Sequence, residues 1–418
     1  MTRVALPVAT APREGAPPSG ARTRWWLRTG LPVTAIIGVA TFMRFWQLAA
    51  IGFNSDEAVY AGTAAAIAGD GTLRTMFPVF RAHPLLFQST LSLLYRLGGG
   101  DVAARLLVAV LGVATIGVVY LLGRVLYGRR IGLVAALLLA VMPYHVGVSR
   151  QVLLDVPLTF MATTSLYFLA RYCRDGGLRT LLTAAAVLGG AVLTKETAIV
   201  LVPGVAALWV LHPVLRPGPW PTLLAAGVTG VVAAVLPISL ALSGRTSTGQ
   251  SYVAWQLVRR SNHTALFYAE VVPPAMGLAV VGAAALGLWV LRPTSSCREG
   301  LLAYWALSPL LFFEIWPVKG YQYLLVAAPV AAVLAARALV EIRVPLPGLL
   351  RRMSPWLLRT WLRRVPRSLR QGRVGRVPQW LGAVRPVRVP RGSIRAVVVA
   401  AVAASLVVPS WRTVETIR

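Results

Sequence analysis

Two adjacent carboxylates, Asp56 and Glu57, stand where the first long apolar run of the chain ends, in the stretch IGFNSDEAVYAG at 51–62. The chain holds thirteen acidic residues against 42 basic ones, so a side-by-side acidic pair at a helix mouth asks for a cause. One cause is local: Ser55 as N-cap, with both acids in the first helical turn where the helix dipole favours negative charge. The other is chemical: a general base with a neighbour that orients it or holds a cation. The two are compatible. The other residues able to take part in such chemistry are Asp70, His83, Asp101, Arg105, Arg150, Asp155, Lys195, Glu196, His263, Glu270 and Lys319, among them both lysines of the chain.

The elements that must position these groups are apolar helices. The sequence is 57% hydrophobic and 13% charged, far from the roughly 25% charged of a soluble domain. Runs of the length a helix needs to cross hydrocarbon recur from residue 31 onward. This predicts an all-α polytopic membrane protein. Spans are expected at about 31–50, 104–123, 131–148, 156–173, 178–194, 197–213, 221–243, 271–291, 300–316, 321–341 and 395–410. Arg44, near the end of the first span, is expected to snorkel to the interface. The segment 84–97 is too short for a crossing and suits an interfacial or re-entrant helix.

Charge orients the bundle. With the N-terminus inside and 84–97 not crossing, the arginine turns at 124–130, 174–179, 216 and 292–298 all fall on one side, which the positive-inside rule makes cytoplasmic. Eleven spans then leave a large first external loop at 51–104 and a second at 244–270. The residues able to do chemistry collect on the outer side, at helix ends and in loops. A transporter would be expected to bury such groups mid-span.

The net charge of +29 would point to nucleic acid in a soluble chain, but here the bias of membrane topology explains it. Residues 343–394 form an Arg- and Pro-rich cytoplasmic segment, expected to lie on anionic lipid rather than nucleic acid, since no recognisable fold accompanies the charge. Fourteen arginines and no acid fall between Arg343 and Arg395. Residues 1–30 read as a disordered basic tail with no cleavable signal, 31–342 as the transmembrane core, and 395–418 as a last span with a short external tail. Cys173 and Cys297 lie beside basic turns, so no disulfide is expected.

Five motifs, in order, carry a family resemblance: RFWQLAAIGFNSDEAVYAG, RAHPLLFQSTLSLLYRLGGGDVAARLL, SRQVLLDVPLTF, AVLTKETAIVLVPG and WPVKGYQYLLVAAP. Together they cover about residues 40–335. The chain resembles polyprenyl-phosphate-dependent glycosyltransferases of the GT-C class, in the group of protein O-mannosyltransferases and aminoarabinose-to-lipid A transferases. The resemblance implies a GT-C-like bundle whose large first extracytoplasmic loop carries juxtamembrane helices. It also implies transfer of one sugar from a polyprenyl-phosphate donor to an acceptor outside the cytoplasmic membrane; forty arginines to two lysines, with abundant Ala and Gly, point to a GC-rich bacterial genome. Inversion follows from a single displacement with one base, since a covalent intermediate would need a second placed nucleophile.

The resemblance assigns residues. Asp56, with Glu57 beside it, becomes the catalytic acidic position. Lys319 becomes the lysine contacting the donor phosphate, with Arg105 second to it. Asp155, alongside Arg150, becomes a second acidic position of the donor site, and Tyr321 and Tyr323 line the lipid-phosphate pocket. Each has a structural alternative: basic residues and tyrosines also anchor span ends, and Asp155 precedes Pro157 as an N-cap would.

No cofactor is implied outright. The aminoarabinose transferases place a metal-binding glutamate in a Glu-Lys-Pro-Pro run. Here the run reads Ala82-His83-Pro84-Leu85, and the glutamate is missing. His83 and His263 are the candidates to hold zinc or manganese, whereas protein O-mannosyltransferases need no obligatory metal. Lys195 and Glu196, in the LTKE step, read as a structural turn with a local pair and no chemistry. The alternative to an enzyme is a flippase or transporter of lipid-linked sugars using the same acidic pocket. Sugar and acceptor stay open.

Overall fold

A computed structural model describes residues 30–50, 52–77, 83–242, 259–291, 297–341 and 391–416. The basic tail, most of the Arg-rich segment and much of the second external loop lie outside the described residues. Among those described, every regular element is helical.

At the first expected span stands α1 (Leu31–Phe45), opened by a proline in its first turn and ended by the extended Trp46. The expected first external loop contains α2 (Ser55–Ala68), α3 (Gly71–Met76) and α4 (Leu86–Arg96). At 11 residues, α4 is too short to cross a bilayer; its buried side, Phe87 and Leu91, lies against α2. The long α5 (Asp101–Tyr127) is the axis of the bundle. It packs against α1, against α6 (Arg129–Ala140) and against α8 (Asp155–Asp175), with the short α7 (Pro143–Val148) between the last two.

Small residues let these helices close up. A methyl group on Gly123 of α5 would lie 2.8 Å from the Cα of Gly132 in α6, so the two backbones are in direct contact. The next helix, α9 (Leu178–Thr194), packs on α8 and on α11 (Pro219–Leu242). Here a methyl group on Gly189 would meet the carbonyl oxygen of Thr229 at 2.7 Å.

Two expected spans are broken, one at a proline and one at a glycine. The run 131–148 stops at Ala140, and Pro143 opens α7; proline lacks the N–H a continuing helix needs. The run 197–213 is unbroken: a 3-10 turn (Glu196–Leu201) leads directly into α10 (Val202–Leu211). The run 271–291 is α12 (Phe267–Met276) and α13 (Leu278–Leu291), bent by 102° at Gly277, whose φ is +91°. After α14 (Cys297–Ile315), a 3-10 turn (Tyr321–Ala327) leads into α15 (Ala328–Glu341), and α16 (Arg391–Thr416) packs on α7.

Two helical stretches, Asp101–Tyr127 and Tyr321–Glu341, are long and apolar enough to cross a membrane, or three if the bent pair is one span. Helices stand at all eleven expected positions, but among the described residues only these combine the length and the apolar composition of a full crossing. Expected and observed differ because the breaks fall inside apolar runs, where hydropathy does not register them.

At 27 residues, α5 is about 40 Å long. It separates two chemically different ends. One gathers the basic turns: Arg129 and Arg130 border a cavity with Tyr127 and Glu341, and Arg174 and Arg298 border another with Cys173 and Cys297. Both cysteines are free. The other end, where Asp101 and Arg105 sit, holds Asp56, Glu57, Asp155, Glu196 and both lysines.

Candidate active site

The site is built from the N-terminus of α2. Asn54, rather than Ser55, is the cap: its side-chain oxygen accepts from the backbone N–H groups of Asp56 and Glu57, each at 3.0 Å. Glu57 reaches back to the Asn54 N–H at 3.1 Å, which completes a capping box. This local chemistry fixes the first turn and sends the two acids in opposite directions. Asp56 is exposed; Glu57 is buried.

Glu57 faces inward to Arg105 on α5. Two hydrogen bonds of 2.9 Å join them, and Glu57 also accepts the Val152 N–H at 2.9 Å. Arg105 further donates to the carbonyl oxygens of Leu48 and Gly52, both at 2.9 Å. Every partner named is internal. The catalytic part expected for Glu57 and the phosphate contact expected for Arg105 therefore receive no geometric support: the pair ties α2 to α5 beneath Asp56.

Asp56 opens onto a cavity of about 580 Å³. Its walls include Tyr60, His83, Lys195, Glu196, Arg259, Asn262, Lys319, Tyr321 and Tyr323, with Phe312 and Trp316 forming an apolar edge. Residues separated by up to 267 positions thus meet around one carboxylate. The lining joins α2, the turn after α9, the end of α14 and the turn before α15.

The chemistry missed in the sequence is at the LTKE step. Lys195 and Glu196 do not pair with each other. Lys195 Nζ lies 2.8 Å from Asp155, both side chains buried, and 4.6 Å from the centre of the Tyr323 ring. Burial opposes charge on the ammonium, but Asp155 outweighs it and the Lys195 pKa is raised. Burial raises the Asp155 carboxyl, with Lys195 acting against it. Glu196 accepts from His83 Nδ1 at 2.8 and 3.0 Å. Burial works against that carboxylate, and the hydrogen bond from His83 more than offsets it, so its pKa is lowered. Two basic-acidic pairs 40 and 113 residues apart in the chain leave no local pattern.

Lys319 is held at both ends. Asn262 grips its backbone, donating to the carbonyl at 2.9 Å and accepting from the N–H at 2.8 Å. Its ammonium lies 2.9 Å from Glu314 and 5.4 Å from the centre of the Tyr268 ring. Tyr321 donates to Gln151 at 3.1 Å, and Gln151 accepts from Asn54 at the same distance, which links the cavity rim to the cap of α2.

Three expectations are corrected. Arg150 is not in the cavity lining; it is buried and donates to the carbonyl oxygens of Arg44 and Trp46 at 3.2 and 2.7 Å, closing the C-terminus of α1, where a cation is favoured. Arg44 does not snorkel but is fully buried, bonded to the Ala140 carbonyl at 3.0 Å and to His145 Nδ1 at 2.8 Å. His263 is exposed, outside the lining, and stacked on Phe267 with centroids 4.0 Å apart; its neighbour Asn262 reaches the site instead. His83 and His263 are therefore not drawn together. Among the described residues no three His, Cys, Asp or Glu side chains are placed to hold a metal ion, so the donor set does not fit a zinc or manganese centre.

A bundle of this topology, with the first loop folded over a polar cavity at one end, is the GT-C fold, the class indicated by the sequence motifs. Residues 82–240 match the family model described as dolichyl-phosphate-mannose-protein mannosyltransferase. Among solved structures, the chain is similar to ArnT from Cupriavidus metallidurans bound to undecaprenyl phosphate, with a TM-score of 0.62 and 19% identity, covering 77% of this chain and 61% of that one. It is also similar to the oligosaccharyltransferase AglB from Archaeoglobus fulgidus, in complex with an inhibitory peptide and a dolichol-phosphate, with a TM-score of 0.54 and 14% identity over 95% and 56% of the two chains. The arabinosyltransferase EmbB from Mycobacterium smegmatis gives a TM-score of 0.52 and 15% identity over 79% and 32%. The chain thus spans about three-fifths of the length of ArnT. No curated protein sequence matches.

Proposed function

We propose that this chain is a bacterial inner-membrane glycosyltransferase that moves one sugar from a polyprenyl-phosphate donor to an extracytoplasmic acceptor, with inversion. The observation that carries the reading is the placement of the exposed Asp56 on a cavity of about 580 Å³ whose walls also include both lysines of the chain. Asp56 takes the proton of the acceptor hydroxyl as that oxygen attacks the anomeric carbon. The bond from that carbon to the phosphate oxygen breaks, and its electron pair leaves on the lipid phosphate. Lys195 and Lys319 stabilise the charge developing there, with Tyr321 and Tyr323 alongside. Asp155 holds Lys195 charged.

In this reading the chain crosses the membrane eleven times with its N-terminus inside, the cavity faces outward, and the Arg-rich segment rests on anionic lipid of the inner leaflet. ArnT and AglB were solved with polyprenyl-type phosphates, which supports the donor class.

The test is to incubate the purified protein with labelled polyprenyl-phosphate sugars and candidate acceptors, and to identify products by mass. Wild type is expected to transfer; Asp56→Asn is expected to bind donor without transferring. A purified Asp56→Asn protein that transfers at the normal rate overturns the base assignment. Lipid-linked sugar moved across vesicles without any product would make the protein a flippase.

A further inference from the structure

The two lysines of the cavity are each paired with a carboxylate, and the pairs differ in one respect. Lys195 and Asp155 are both enclosed, with side chains 4% and 3% exposed. Lys319 is equally enclosed at 4%, but its partner Glu314 is 40% exposed. Breaking the first pair strands a buried carboxylate, which is costly. Breaking the second leaves a carboxylate that the protein does not enclose, which costs less.

The lysine is otherwise anchored. Asn262 clamps its backbone from both sides, and the Ala265 carbonyl accepts from the ammonium at 3.3 Å. Its stem therefore stays in place while its charged end can change partner. Glu314 itself is outside the cavity lining, whereas Lys319 is in it. The carboxylate approaches the ammonium from the last turn of α14, five residues earlier in the chain.

We propose that Glu314 is an exchangeable counter-ion of the phosphate site: it occupies the Lys319 ammonium when no donor is bound and is displaced by the lipid phosphate. This rests on the proposed function and adds a regulatory part to its site. A phosphate monoester or diester offers a carboxylate-like pair of oxygens with equal or greater charge, so exchange keeps the buried ammonium neutralised throughout. On departure of the sugar, Glu314 competes again for Lys319 and helps the spent polyprenyl phosphate leave.

The experiment measures undecaprenyl phosphate binding to the full chain in detergent, by native mass spectrometry, for wild type, Glu314→Gln, Glu314→Ala, Glu314→Asp and the double variant Glu314→Gln/Lys319→Gln. Removing the competitor is expected to tighten binding about fivefold in the Gln and Ala variants, the worth of an exposed ion pair. Glu314→Asp stays near wild type, and the gain vanishes when Lys319 is also replaced. In transfer assays the Gln variant is expected to show a lower donor KM and a lower kcat, with stronger inhibition by product undecaprenyl phosphate. A merely structural carboxylate would raise KM or leave it unchanged. Unchanged or weaker binding in both the Gln and Ala variants, or a gain that survives in the double variant, overturns the inference alone. A wild type that binds no undecaprenyl phosphate overturns the proposed function, and this inference with it.

Discussion

Arg105 and Glu57 form a buried bidentate pair, two hydrogen bonds of 2.9 Å between α5 and the first turn of α2. The neighbouring Asp56 is thereby left facing the cavity. One acid of the Asp-Glu pair is an anchor and the other is the candidate base. Replacing Glu57 by Gln leaves the guanidinium without its counter-charge, and the expected loss is about 3–5 kcal/mol. Thermal unfolding in detergent measures it. A joint replacement by apolar residues, Glu57→Leu with Arg105→Met, is expected to recover a good part of that loss, because no buried charge is then left alone. Equal instability of the double and single variants would show that the pair is not the anchor.

Asn54→Ala removes the cap and, with it, the bond from Asn54 to Gln151. The expected cost is about 1 kcal/mol of stability. The larger effect falls on kcat, since the turn that aims Asp56 loosens. A normal kcat in steady-state assays would show that the cap has no part in positioning it.

Lys195→Met strands Asp155 in a buried position and is expected to lower both stability and donor binding. Adding Asp155→Asn should restore stability, as it removes the unpaired charge. Donor binding should stay weak, because the ammonium is still absent. Recovery of both properties together would make the pair purely structural.

Glu196 gives a pH signature. Its folded pKa is depressed, with burial opposing and the His83 hydrogen bond dominating in combination with charge. The group therefore contributes stability that is full above the unfolded value of about 4.3 and is lost as pH falls through the lower folded value. The difference in melting temperature between wild type and Glu196→Gln should be constant near neutrality and shrink to nothing in acid below that window. A difference that grows on acidification would contradict the pairing.

Gly123→Val should force α5 from α6, as even a methyl group there meets the backbone of Gly132 at 2.8 Å. The expected cost is about 1–3 kcal/mol or more, read as a lower melting temperature. Unaltered melting would mean that the helices are not in backbone contact.

Apolar run length and arginine placement settled a great deal without coordinates. They implied a helical bundle with one basic end, and a non-crossing α4 whose 11 residues cannot span hydrocarbon. The ordered motifs implied the GT-C class. These features are additive along the chain, so a one-dimensional reading reaches them. Local rules came close but slipped by one position, taking Ser55 for the cap where Asn54 serves, and His263 for the site residue where Asn262 does. Side chains of similar polarity sit side by side there, and only backbone direction separates them.

What needed the tertiary structure is pairing. Nothing in the sequence joins Lys195 to Asp155, His83 to Glu196, or Arg150 to the end of α1; these contacts arise where helix ends and turns from distant parts of the chain meet. Arg44 reads as an interfacial anchor by position and Arg150 as a donor-site residue by resemblance, yet both are buried against helix C-termini, whose carbonyl groups stand in for a counter-ion. Hydropathy and charge rules count residues one at a time, whereas a buried charge is decided by its neighbour. The sequence determined where the charged residues of each end lie along the chain. The fold decided which of them neutralise each other and which, like Asp56, are left facing the cavity.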